Sequence, residues 1–295
     1  MSCCLLLHNE GAGNRMHAQE LVTTIVQQLQ QIKGVEGVVL GGSRARGTHT
    51  AQSDIDLGLY YRADDPLDLN ALRHLAAELD DSHRRDVITD FGEWGPWING
   101  GGWLKIQGMA VDFLYREVEK VTSIIASCCA GQVQVAYQPG HPHAFLSSVY
   151  MAEIALCHIL WDPQETLSRL KSRTAPYPPA LKQALIKRFF WEAEFSLRIA
   201  SKGVPRKDVS YVAGCCFRCV SCLMQTLFAL NERYWMNEKG AVALAQTFPL
   251  CPVQLEARIN EVFAHLTPET GRLSTAVQLL EELVNETQGL LAHQE

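Results

Sequence analysis

Residues 39–61, VLGGSRARGTHTAQSDIDLGLYY, constrain this chain more than any other stretch. An apolar run ends in Gly41-Gly42-Ser43, and after a polar interval Asp54-Ile55-Asp56 opens a second apolar run. The pattern predicts a strand ending at Leu40, a tight glycine turn, a short helix with Ser43 near its N-terminus, and a second strand over residues 55–61. Glycine admits positive φ and lets a ligand approach the backbone closely. A helix N-terminus presents free N–H groups and partial positive charge, which suits a phosphate. On a strand, residues i and i+2 share a face, so Asp54 and Asp56 project together, about 6–7 Å apart. Carboxylates this close repel unless a cation stands between them. Hard divalent ions such as Mg²⁺ take oxygen ligands of this kind, often shared with substrate phosphates.

Gly42-Ser43, ten residues, and then Asp54-Ile55-Asp56 resembles the Gly-Ser…Asp-x-Asp signature of the DNA polymerase β-type nucleotidyltransferases. The resemblance implies that Gly42 and Ser43 bind the phosphates of a nucleotide and that Asp54 and Asp56 hold metal. A βαβ turn with a solvated acidic edge is the plain alternative for a motif this short. The superfamily usually adds a third carboxylate from a neighbouring strand. Asp112, set between Val111 and Phe113, is the candidate, since an acid inside an apolar strand is expensive to bury unpaired. The alternative for Asp112 is a sheet edge facing solvent.

Along the chain, residues 1–15 read as a poorly ordered tail. Residues 16–32 carry Leu21, Ile25 and Leu29 at helical spacing, and Leu72, Leu75 and Leu79 mark a second helix over residues 69–79. Residues 92–102, GEWGPWINGGG, have little core of their own. With Trp94 and Trp97 they line a substrate cleft or form a lid or connector, and Glu93 is a general base or a solvated loop carboxylate. A hairpin is expected over 103–106 and 110–115, a helix over 118–130 and a strand over 132–138. The break Pro139-Gly140-His141-Pro142 suggests the domain boundary. Beyond it the spacing predicts helices over 143–161, 164–173, 179–201, 208–232, 238–247, 252–265 and 268–291. The expectation is an α+β chain: a small mixed-sheet nucleotidyltransferase domain over 1–140, then an all-α helical bundle over 141–295 that completes the substrate cleft.

That arrangement resembles the antibiotic nucleotidyltransferases acting on aminoglycosides and lincosamides. Two further nucleotide ligands follow by that resemblance, Arg46, three residues after Ser43, and Lys239, at a helix start where the dipole otherwise disfavours a cation. Surface charge is the plain reading of both. The implied activity is Mg²⁺-dependent transfer of a nucleoside monophosphate, AMP from ATP or another NTP, to a hydroxyl of a small molecule. Asp54, Asp56 and Asp112 would hold two metal ions, and pyrophosphate would leave. Asp112, Glu153, Glu192 or Glu194 would serve as base.

Two other readings stand beside this one. The first is a toxin-like enzyme modifying tRNA or a protein, supported by Lys182, Lys187, Arg188, Arg198, Lys202, Arg206 and Lys207. The second is a nucleotide-binding regulator without turnover. A net charge of −6 weighs against a non-specific grip on nucleic acid. Residues 3–7 are too short for a signal peptide, and no unbroken apolar run is long enough to span a membrane. The ten cysteines then read as reduced thiols of a cytoplasmic protein. Cys216, Cys219 and Cys222 share a helical stripe, and without matching His or Cys partners they read as core rather than zinc ligands. Oligomeric state is left open by the sequence.

Overall fold

The structure, a computed structural model, describes residues 18–293. The tail expected over residues 1–15, with residues 3–7, lies outside the described residues. The elements run α1 (residues 18–29), β1 (Gly37–Leu40), α2 (Gly42–Ala45), β2 (Ile55–Tyr61), α3 (Leu69–Leu79), α4 (Gly95–Ile98), β3 (Gly101–Ile106), β4 (Met109–Glu117), α5 (Val118–Cys129), β5 (Val135–Ala136), β6 (Phe145–Leu146), α6 (Ser148–Leu156), β7 (His158–Trp161) and α7 (Thr166–Ser172). Then come α8 (Pro179–Gly203), a 3₁₀ turn, α9 (Val209–Leu230), α10 (Ala241–Ala245), α11 (Leu255–Ala264) and α12 (Thr270–Ala292). A mixed α/β sheet region is thus followed by a helical one.

The chain divides into two compact units. Residues up to 125 together with 153–175 form the first, and 126–152 together with 176 onward form the second. The units therefore do not part at a single point in the Pro139–Pro142 break. The reason is β7. Residues 143–161, expected as one helix, hold α6 and then a strand that pairs antiparallel with β1 through Val39↔Ile159 and Leu40↔His158. Short apolar runs such as HILW fit a buried helix turn and a strand equally well by periodicity. Similarly, the strand expected over 132–138 shrinks to the two residues of β5, paired with β6.

In the first unit the sheet order is β3-β4-β2-β1-β7. The β2–β4 pair is parallel, and the other three pairs are antiparallel. Alternation sends Ile55, Leu57, Leu59 and Tyr61 of β2 and Val111, Phe113 and Tyr115 of β4 to one face. There they join Leu21, Ile25 and Leu29 of α1 and Leu72 and Leu75 of α3 in one buried cluster. Each fully buried Leu, Ile or Phe contributes about 1.5–3 kcal/mol. Asp68 caps α3 by accepting from the N–H groups of Asn70 and Ala71, both at 3.0 Å. At its other end, fully buried Asp80 accepts from Arg84 Nη2 at 2.6 Å and from Lys105 N at 2.9 Å, which ties the helix to β3. The residues between those core positions, Asp56, Gly58, Asp112 and Leu114, must point to the opposite face.

In the second unit α8 buries Leu181, Leu185, Phe189, Ala193 and Leu197, and α12 buries Leu273, Leu280 and Leu283. Trp191 and Phe195, which extend the apolar pattern of α8 in the sequence, are exposed and stack on each other with ring centroids 5.4 Å apart. Cys216, Cys219 and Cys222 are fully buried on α9 as thiols outside any disulfide. Among the described residues α9 alone is long and apolar enough to cross a membrane, and 78% of its most apolar window is buried inside the protein, as in a core helix.

Candidate active site

The β1–β2 ladder extends one step past β1, with Gly41 N donating to Asp56 O at 2.8 Å. The chain then turns at Gly42, whose φ is +60°. A Cβ at Gly42 would collide with Asp56 Oδ2, so only glycine allows this carboxylate to lie against the turn. Ser43 follows, half-buried, and its carbonyl accepts from Thr48 N at 3.0 Å. Arg46 folds back along α2, its Nε donating to Gly42 O at 3.2 Å.

Arg44 does something its place in the sequence does not reveal. Its Nη2 and Nε donate to the carbonyls of Ser53 at 2.6 Å and Asp54 at 3.0 Å. The guanidinium thereby fastens the entry of β2 to α2 and sets the backbone from which both aspartates project. Contacts at a separation of nine and ten residues follow no local periodicity, so no motif carries them.

Asp56 and Asp112 are direct Cα partners across the parallel β2–β4 pair. Neighbouring strands lie about 4.8 Å apart, and Asp54 sits two residues before Asp56. Asp54 is exposed, while Asp56 and Asp112 are half-buried. The three carboxylates therefore converge on one face at the start of β2. Burial first, then the charges of Asp56 and Asp54, pushes the Asp112 carboxyl up to about 7. A carboxylate crowded in this way is the chemistry of a divalent-cation site: an ion between the three would remove the repulsion that raises it. The donor set is all oxygen, which fits Mg²⁺.

On the other side of Asp112 stands Trp103, its antiparallel partner on β3. Its side chain is 62% exposed and stacks on Trp94 with centroids 4.5 Å apart and planes at 21°. The glycine-rich loop is shaped by its own hydrogen bonds. Glu93 accepts from Asp90 N at 2.9 Å, Asn99 accepts from Gly92 N, and Asn99 Nδ2 donates to Tyr61 Oη. Glu93 thus works as a loop brace. Two other candidate bases are engaged as well. Glu153 takes Arg116 bidentately at 2.6 and 2.7 Å, and Glu192 accepts from Arg218 Nε at 2.6 Å. Lys239 is exposed in the turn ahead of α10 in the second unit, its N–H on Asn237 Oδ1.

Replacing Gly42 by alanine would force the Asp56 carboxylate aside and place a side chain at positive φ. The expected result is a loss of nucleotidyl transfer of about 100-fold, the scale of an ångström misplacement. Pyrophosphate release and a melting curve on the same sample measure it, and transfer within a few-fold of the parent would show that the turn does not set the carboxylate.

A family model for the nucleotidyltransferase domain matches residues 22–123, and one for a domain of unknown function (DUF4037) matches residues 145–239. No curated protein matches the chain. Among solved structures, a nucleotidyltransferase-like protein from Exiguobacterium sibiricum is similar at 10% identity over 90% of this chain and 74% of that one. Its TM-score is 0.42. The glycine turn and the aspartates Asp54, Asp56 and Asp112 all fall inside residues 22–123, so this region is a nucleotidyltransferase domain of the DNA polymerase β type and the chain is a nucleotidyltransferase enzyme.

Proposed function

We propose that the chain moves a nucleoside monophosphate, AMP from ATP, to a hydroxyl of a small hydroxylated acceptor, with release of pyrophosphate. The observation that carries the reading is the pairing of Asp56 with Asp112 across parallel strands, with Asp54 just ahead of β2 and close enough for its charge to act on Asp112. Asp54, Asp56 and Asp112 would hold Mg²⁺, which when bound neutralises the triphosphate and lowers the pKa of the attacking hydroxyl. Ser43, the Gly42 turn and Arg46 bind the β- and γ-phosphates. The acceptor oxygen forms its bond to the α-phosphorus as the bond to the β-phosphate oxygen breaks. Asp112, paired with Asp56 across the strands, takes the proton of that hydroxyl. Glu153 is held bidentately by Arg116, whereas Asp112 pairs directly with Asp56, which favours Asp112 over Glu153 as base.

The order of strands gives the reaction a direction. Across the face run the β1–α2 turn, then β2 with its aspartates, then β4 with Asp112, then β3 with Trp103. In-line displacement puts the leaving pyrophosphate and the incoming hydroxyl on opposite sides of the phosphorus. With the phosphates at Gly42 and Ser43, the acceptor comes from the β3 side, where the Trp94–Trp103 stack offers a ring face. The chain orients both reactants, and most of the rate derives from that placement and its electrostatics.

The test is pyrophosphate release with each NTP and Mg²⁺ against aminoglycosides, lincosamides and bulk tRNA. Release that needs a small acceptor, prefers ATP and vanishes in Asp54→Ala/Asp56→Ala supports the reading. Release with tRNA alone would replace the small acceptor by a macromolecular one.

A further inference from the structure

A second cluster of metal-ligating side chains lies in the second unit and belongs to no part of the nucleotidyl-transfer machinery. His143, on the segment ahead of β6, Glu192 on α8 and Cys222 on α9 bring one ligand atom each to within 4.8 Å of one another. His143 Nε2 is 3.9 Å from Cys222 Sγ and 3.7 Å from Glu192 Oε1. Zinc bonds of about 2.0–2.1 Å to nitrogen and oxygen and 2.3 Å to sulfur, at tetrahedral angles, separate such donors by roughly 3.4–3.6 Å. Two of the three donor pairs already stand within a few tenths of an ångström of chelating separation, and the third lies within 4.8 Å.

We propose that His143, Glu192 and Cys222 form a three-ligand site for a zinc-class transition-metal ion. Imidazole, thiolate and carboxylate together suit a borderline ion such as Zn²⁺ or Co²⁺ and suit Mg²⁺ poorly. Three elements present the donors, and each is fixed. α8 and α9 hold Glu192 and Cys222 through their buried faces, and His143 N donates to Glu238 Oε1 at 2.9 Å. Three protein ligands leave a fourth position for water. Glu192 also lines an open cavity of about 590 Å³ with Lys187, Arg188 and Trp191, through which an ion can enter.

The thiol answers the competing idea of a Cys–His nucleophile. Burial, and then the Glu192 charge, pushes Cys222 far above its ordinary value, so the free thiol keeps its proton. Metal binding exchanges that proton: the S–H bond breaks, the metal–sulfur bond forms and the proton leaves to solvent. Arg218, which shares Glu192, is 57% exposed and can follow the carboxylate or withdraw to water.

The experiment uses the full chain carrying Asp54→Ala and Asp56→Ala, with Cys3→Ser and Cys4→Ser, stripped with chelator and titrated with Co²⁺. Because two of the three transferase carboxylates are gone and the band reports thiolate, the result does not depend on the transfer reading. The expected result is one ion per chain with a thiolate-to-cobalt charge-transfer band in the near ultraviolet. Zn²⁺ should displace the Co²⁺ and raise the melting temperature. Cys222→Ser should abolish the band, and His143→Gln and Glu192→Gln should each weaken binding at least about 100-fold, with circular dichroism reporting that the fold persists. No band, or a band that survives Cys222→Ser, would overturn the proposal.

Discussion

Nucleotidyl transfer should fall by at least about 10³-fold when Asp54 and Asp56 are both replaced by alanine, because the change would remove the charge proposed to hold Mg²⁺ and with it the electrostatic stabilisation of the reaction. The fold should survive. Main-chain contacts help place this segment: Gly41 N donates to the carbonyl of Asp56, and Arg44 donates to the carbonyls of Ser53 and Asp54. Alanine keeps all of them. Asp54 is exposed and Asp56 half-buried, so no core volume is lost. The double variant should also relieve the repulsion felt by Asp112, and its metal-free melting temperature should equal or exceed the parent's. Asp56→Asn refines the test, since it keeps shape and loses only charge; an equal loss of activity assigns the effect to the charge. Pyrophosphate release and melting curves together decide the matter. A double variant that retains a tenth of the parent activity would remove the aspartates from the reaction.

The parts of this protein that were legible in the sequence are those whose physics is local. The glycine turn, the DxD strand and the amphipathic helices α1 and α3 each follow from spacings of two to four residues; β2 and α3 have the expected bounds, and α1 ends at residue 29, three short of the expected 32. Asp112 stood out for a different reason: a carboxylate in an apolar strand is costly, and its neighbour across the strands is Asp56, whose charge adds to that cost. What stayed hidden depends on contacts distant in sequence. Strand β7 is built from HILW, which only its pairing with β1 makes a strand. Arg44 looks like any surface arginine until its two carbonyl acceptors are in place. Cys222 reads as a core thiol on its stripe because His143 and Glu192 come from other elements. Trp191 and Phe195 extend an apolar pattern and yet face outward, because helical spacing defines a stripe but not what covers it.

Asp112 gives the second large effect, and it runs in opposite directions for stability and for activity. The carboxyl is pushed from an ordinary 3.8 up to about 7 by burial, Asp56 and Asp54 in that order. Between those values the folded metal-free protein holds a proton that the unfolded chain has released. Stability therefore falls as pH rises through this window, and the full penalty is present above about pH 7. At about 1.4 kcal/mol per pKa unit the shift caps the penalty near ~4 kcal/mol, and partial exposure screens it to roughly 2 kcal/mol. Asp112→Asn is neutral at every pH and escapes it. Without metal, the variant should gain roughly 2 kcal/mol over the parent at pH 8 and almost nothing at pH 4, read from urea unfolding at both values. Added Mg²⁺ should close the gap by stabilising the parent, because an ion between the carboxylates replaces repulsion with attraction. Transfer should run the other way, with the asparagine variant losing at least about 10²-fold for want of a proton acceptor and a metal ligand. A stability gain independent of pH would point to packing as its cause, and unchanged transfer would remove Asp112 from the chemistry. The site stores unfavourable charge that folding tolerates and that a bound cation relieves, so a variant more stable than the parent and far less active is the signature expected of a carboxylate held for function.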